Sequence, residues 1–207
     1  QYFLNTLKLA VIITLLQLFT CSLAAFAFTK LQFPGRDKIF VAYLATMMVP
    51  WHAIMIPQFI VVKAFGMYNT HLSLIVLQAF SAFGVFLLRQ NMLSIPNSLH
   101  EAAKIDGCST FGIYRRIILP LSQNGLATLT VLTFNSVWND YMGPMIYLDS
   151  DRLKTIQLGL ASFQQQFSAD YGAIMAGTVC SVIPIIIVYC IGQKYIVEGV
   201  AFAGVKG

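Results

Sequence analysis

The chain has 207 residues, of which 57% are hydrophobic and only 10% charged, and its mean hydropathy is +0.73. Ordinary soluble domains carry roughly 25% charged residues, so this composition excludes a water-soluble globular fold and sets the class as an integral membrane protein. The net charge of +5 is no nucleic-acid signal, because in a membrane protein the place of each Lys and Arg counts for more than their sum.

Five apolar stretches are long enough to cross a bilayer as helices: 7–28, 39–62, 72–88, 121–148 and 172–192. Each must be helical, since hydrocarbon offers no water to a free backbone group. The expected architecture is an all-α, polytopic membrane helical bundle forming one domain over 1–207. Pro50 and Pro57 in the second stretch and Pro184 in the fifth are expected to kink their helices. The first residue is Gln1, and no basic segment with a short apolar core and a small-residue cleavage site follows it. The loops 29–38 and 89–120 and the tail 193–207 carry nine Lys and Arg, including Lys30, Arg36, Arg89 and Lys104. The other face has four: Lys8, Lys63, Arg152 and Lys154. The basic excess makes the first face cytoplasmic. The chain then starts outside and ends inside, which fits a parent with one preceding helix and six spans.

The segment 89–120 therefore hangs in the cytoplasm. Pro96 is suited to start a helix through "PNSLHEAAKID". Gly107 is suited to stop it, and Ser109 to cap a second short helix. Pro120 marks the passage to the fourth stretch. Two short helices meeting at a glycine make an elbow along the membrane surface. Ala102 and Ala103 would let a partner backbone approach, Glu101 adds an anion, and Leu99 and Ile105 add apolar knobs. The residues fit a plug for a protein groove and also an amphipathic helix on headgroups.

The fourth stretch holds Asn135, Trp138, Asn139 and Asp140. A charge at mid-bilayer costs about 2.5–3.5 kcal/mol on insertion scales, so Asp140 should face protein or water. Indole faces and amides suit a sugar. Asp140 also lies 20 residues beyond Pro120, about 30 Å of continuous helix, where interfacial aromatics are common. A gate or a packing role is the preferred reading of these four, with direct sugar contact the alternative. His52 and Gln58 read as packing at a bend or as pathway lining. Four cysteines and three histidines show no metal or disulfide spacing. No GxxxxGK[ST] loop occurs, so no nucleotide site is expected in this chain.

The sequence Glu101-Ala102-Ala103, three residues, Gly107, nine residues, Ile117-x-Leu119-Pro120 matches the EAA signature of ABC-importer permease subunits. "KLQFPGRD" (30–37), "GMYNTHLSLI" (66–75), "FNSVWND" (134–140) and "VEGVAFAGVKG" (197–207) resemble the carbohydrate-uptake branch, similar to the smaller permease of the maltose transporter. The resemblance covers nearly the whole chain. It implies the type I ABC-importer transmembrane fold, with the elbow as coupling helix in a cleft of an ABC ATPase dimer. It also implies a second permease subunit, an extracytoplasmic solute-binding protein and a place in the cytoplasmic membrane. ATP and Mg would sit on the ATPase, and this chain would be no enzyme. The loop 149–171, with Gln164, Gln165, Gln166 and Tyr171 at its tip, would face the binding protein. The C-terminal tail would reach toward the ATPase. Other solutes, such as an oligopeptide or polyamine, are the alternative within the superfamily. An ion-coupled transporter or membrane enzyme would need more intramembrane ionisable groups than Asp140 and His52 supply.

Overall fold

The computed structural model describes residues 1–165 and 171–204. Every regular element among them is helical. In chain order they are α1 (Tyr2–Lys30), α2 (Arg36–Ala45) with a 3-10 turn Thr46–Met48, α3 (Trp51–Ala64), α4 (His71–Gln78), α5 (Ala82–Leu93), α6 (Asn97–Ile105) and α7 (Thr110–Ile113). A π-helical turn Tyr114–Ile118 follows, then α8 (Leu119–Leu121), α9 (Gln123–Trp138), α10 (Met142–Tyr147), a 3-10 turn Asp151–Leu153, α11 (Ile156–Gln165) and α12 (Tyr171–Gly204).

Two of these helices, Tyr2–Lys30 and Ile174–Lys194, are long and apolar enough to cross a bilayer alone. Counting the interrupted pairs Arg36–Met48 with Trp51–Ala64, His71–Gln78 with Ala82–Leu93, and Thr110–Leu121 with Gln123–Trp138 as one span each, the number rises to five. The interruptions have local causes. Val49 is extended, as a residue before proline is pushed to be, and the helix restarts after Pro50. Pro57 by contrast rides inside α3, so the segment 39–62 breaks at the first proline only. Between α4 and α5, the Ser81 hydroxyl accepts the Gly84 amide at 3.0 Å and restarts the helix. The break before α9 falls at Ser122 and not at Pro120, which sits within α8. The Ser122 hydroxyl donates to the Ile118 carbonyl at 2.7 Å. The segment 121–148 is likewise no single helix. α9 ends at Trp138, and α10 begins after a three-residue break.

The chain divides into two compact units. The first contains 1–15, 51–79 and 131–191, and its core gathers Leu9, Ile13, Val62, Leu74, Phe134, Trp138 and Tyr147. The second contains 16–50, 80–130 and 192–207, and its core gathers Cys21, Phe26, Phe40, Leu88, Met92, Ala103, Ile113, Tyr114, Ile118 and Leu129. α1 is apolar on all sides and feeds both cores.

In the first unit, the loop after α10 is fastened from several directions. Asn5 donates to the carbonyls of Arg152 and Lys154, each at 2.9 Å. Asn69, at φ 56°, accepts the amides of Asp149 and Ser150. His71 Nε2 lies 2.8 Å from the Leu153 carbonyl. In the second unit, Gly84 lets α5 lie close against α1. A Cβ there would sit 2.9 Å from Cys21 Sγ and 3.2 Å from Leu129 Cδ1.

Gly84→Ala should therefore lower stability by about 1–3 kcal/mol, the usual cost of overpacking. The same change in a Cys21→Ala background should cost clearly less, read as a non-additive pair of melting shifts in the purified protein.

Candidate coupling elbow and polar cleft

The second unit carries the elbow. α6 is amphipathic, and it lays Ala103 into the core while Leu99, Glu101, Ala102 and Ile105 face outward. Ile105 is 86% exposed, an apolar knob with no cover from its own chain. The helix ends as the glycine rule demands. Gly107 stands at φ 78°, its amide donates to the Lys104 carbonyl at 3.1 Å, and the Cys108 amide donates to the Ala103 carbonyl at 3.0 Å. This is the Schellman arrangement, and it needs a residue in the left-handed region at Gly107. Ser109 then caps α7, its hydroxyl accepting the Gly112 amide at 3.1 Å. Ile117 and Leu119 are half-buried against the core, and Pro120 is exposed. The signature residues thus divide. Glu101 and Ala102 are presented outward, while Ala103, Ile117 and Leu119 seat the elbow on its own unit.

The smallness of Ala103 serves this seat rather than the approach of a partner. Lys30, counted above as a loop charge, is buried, and its ammonium donates to the Ile95 carbonyl at 2.6 Å and to Asn97 Oδ1 at 2.9 Å. Sequence offers no sign of this beyond a lysine at the end of an apolar helix. A cleft of about 730 Å³, lined in part by Lys30, Arg36, His100, Glu101 and Lys104, flanks the elbow.

The first unit carries a cleft of about 380 Å³ lined by Trp51, His52, Gln58, Leu74, Leu77, Gln78, Ser136, Asp140, Met142, Gly143 and Tyr147. Gln58 Oε1 accepts from Trp51 Nε1 and from the Tyr147 hydroxyl, both at 3.0 Å. Asp140 accepts the Gly143 amide on Oδ1 and Gln78 Nε2 on Oδ2, each at 3.0 Å. The carboxylate therefore holds the break between α9 and α10. Gly143 fits because a Cβ there would lie 2.5 Å from Asp140 Oδ2.

The four polar-span candidates do not converge. Asp140 lines this cleft. Asn139 lines a different one, with Tyr141, Gln157 and Ser181. Its amide donates to Asn135 Oδ1 at 3.0 Å, and both asparagines are exposed. Trp138 is fully buried, stacks on Phe134, and donates its indole N–H to the Ser181 carbonyl at 2.9 Å. It offers no free face to a solute. Gln78 and Ser136 were missed in the sequence, because single polar residues in apolar helices carry no pattern of their own.

In the segment 149–171, Gln164 and Gln165 belong to the end of α11, and Tyr171 is exposed at the start of α12. Gln166 and the last residues of the tail, 205–207, lie outside the described residues.

Residues 17–201 match the family described as binding-protein-dependent transport system inner membrane component. The chain is 35% identical over 209 residues to the probable ABC transporter permease protein YurM of Bacillus subtilis, covering 100% of this chain and 70% of that protein. It is 32% identical to the arabinooligosaccharides transport system permease protein AraQ of Halalkalibacterium halodurans, covering 100% and 74%. The crystal structure of a bacterial ABC transporter involved in the import of the acidic polysaccharide alginate contains a similar chain. The two superpose with a TM-score of 0.84 at 29% identity, over 94% of this chain and 74% of that one. With an all-helical fold, apolar spans and an elbow of matching sequence already in place, these likenesses show that the chain belongs to the inner-membrane permease family of binding-protein-dependent ABC transporters.

Proposed function

We propose that the chain is one permease half of an ATP-driven carbohydrate importer, and that residues 97–113 receive the stroke of a separate cytoplasmic ATPase. The observation that carries the reading is the elbow. Two short helices are locked at Gly107 by paired backbone hydrogen bonds, with Glu101, Ala102 and Ile105 left on the outer side. A rigid knob with an apolar tip and one anion suits a protein cleft. Glu101 would meet a basic group of the ATPase in a charge-assisted contact. ATP and Mg would be held by that partner. Its closing would favour one global state of the permease, and hydrolysis would release it.

The remaining assembly follows the same reading. Helix Ile174–Lys194 is apolar, and only 6% of its most apolar window is made of residues buried by its own chain, which supports lipid or a second permease subunit as its cover. The outer loop, with α11 and Tyr171, would face the solute-binding protein. The excess of Lys and Arg on the elbow's face supports a cytoplasmic C-terminus in a bacterial or archaeal membrane.

Carbohydrate is favoured because the relative AraQ is named for arabinooligosaccharides and the structural match for alginate. The cleft agrees with a hydroxyl-rich solute, since its polar groups are amides, hydroxyls, an imidazole and an indole. A polyamine would want a free carboxylate, whereas each oxygen of Asp140 already accepts a hydrogen bond.

Two changes test the coupling. Glu101→Lys reverses the charge offered to the ATPase. Gly107→Pro removes an amide that is hydrogen-bonded and imposes a negative φ where 78° is needed. In the assembled transporter in proteoliposomes, both should cut uptake of a labelled oligosaccharide by about tenfold or more, the scale of a lost charge-assisted contact. ATP hydrolysis measured on the same vesicles should persist. Wild-type uptake by both variants at normal subunit levels would contradict the assignment.

Asp140→Ala should remove the acceptor of the Gly143 N–H and cost about 1–3 kcal/mol. Asp140→Asn keeps one acceptor oxygen and should lose about half as much. Thermal inactivation of the purified assembly ranks the two.

A further inference from the structure

The elbow must be attached to something that moves, and the contacts of the second unit single out one helix. Ser22, Phe26 and Lys30 recur every four residues along α1 and so form a stripe on one face. Each of the three touches the elbow. Lys30 holds the residues that lead into α6, through the Ile95 carbonyl at 2.6 Å and Asn97 Oδ1 at 2.9 Å. The Phe26 ring lies 6.3 Å from His100, on α6, and 5.4 Å from Tyr114, beyond α7. The Ser22 hydroxyl and the Tyr114 hydroxyl are 2.7 Å apart in a buried hydrogen bond. One helix face therefore grips both legs of the elbow, with Gly107 between the grips.

Lys30 is the unusual member. It is 8% exposed, and among the described residues no carboxylate forms an ion pair with it. Its charge is satisfied by two neutral oxygens. A buried ammonium that lost either of them would be left short of partners, which is costlier than losing an exposed contact. The link therefore resists sliding, and a displacement of α6 is passed to α1.

We propose that α1 is the receiver of the ATPase stroke, and that Lys30 is the positioning residue that makes the start of α6 and the end of α1 move as one body. The Ser22–Tyr114 pair does the same for the second leg. This rests on the coupling role given to the elbow above. It adds where the motion goes next and through which atoms.

The test measures the coupling ratio, solute imported per ATP hydrolysed, in the complete transporter in proteoliposomes, with the assembled complex quantified for each variant. Lys30→Met keeps the length of the side chain and removes its donors. Lys30→Arg keeps donors and charge, and Tyr114→Phe removes only the hydroxyl. Lys30→Met should lower the ratio by about tenfold, the size of one lost hydrogen bond from a charged donor, and Lys30→Arg should recover most of it. Tyr114→Phe should lower the ratio by about threefold, the size of one neutral hydrogen bond.

An assembled Lys30→Met complex with the wild-type ratio overturns the proposal. If Lys30→Met does not assemble, Tyr114→Phe decides: a normal ratio overturns the stripe as receiver, and a lowered one supports it. Glu101→Lys is run beside them. If it uncouples transport while the α1 variants do not, the elbow's role stands and the receiver is another helix. If it too leaves transport intact, the fault lies with the coupling reading itself.

Discussion

A backbone N–H or C=O inside hydrocarbon has no water to turn to, and this chain interrupts its apolar helices repeatedly. Each interruption is answered at once by a side chain or by a residue that lacks the group in question. Pro50 has no N–H to leave unpaired where the helix restarts after extended Val49. Ser81 accepts the Gly84 amide, and Ser122 returns its hydroxyl to the Ile118 carbonyl. Asp140 accepts the Gly143 amide at the head of α10, and Asn69 accepts two amides of the loop that follows it. The polar residues of the apolar segments are thus spent mainly on the chain's own backbone. That requirement has to be met before any of them can be assigned to a solute.

The same constraint explains how the elbow differs from the spans. Its two helices are capped where they meet, by the Schellman bonds at Gly107 and by Ser109. Caps typically contribute about 1 kcal/mol each. Placed at the junction, they fix the angle between α6 and α7, which is what the proposed coupling role would require of it. The π-helical turn Tyr114–Ile118 places Tyr114 in the same core against Phe26, with the exposed Phe111 ring beside it. The second leg is therefore as firmly rooted as the first.

Much of this was legible in the sequence where a residue type has one dominant physical use. Gly107 as a stop, Ser109 as a cap and the apolar length of α1 and α12 are of that kind. Where two residues compete for one role, sequence does not arbitrate. Pro50 breaks its helix and Pro57 does not, and Ser122 rather than Pro120 marks the break before α9. The reach of 30 Å inferred for Asp140 assumed an unbroken helix, whereas α9 has 16 residues, about 24 Å at 1.5 Å per residue. Lys30 was assigned to a loop because lysines at helix ends usually are solvated, and only the fold brings Ile95 and Asn97 to it. For Trp138 the sequence left a packing or gate role and, as the alternative, sugar contact; an indole is a large apolar body with one donor, and the core claims it whole.

What is left to a solute in the first unit is then narrow. Asp140 is committed to the turn, Trp138 to the core, and Asn135 and Asn139 to one another. The groups still turned to open space in the cleft are His52, Ser136 and the ring of Trp51, whose N–H is tied to Gln58. Gln58 itself is oriented, because its oxygen receives both Trp51 and Tyr147. That leaves its amide N–H₂ pointing away from those two donors, a fixed donor beside an aromatic wall. Such a surface offers a few oriented polar contacts and no deep pocket.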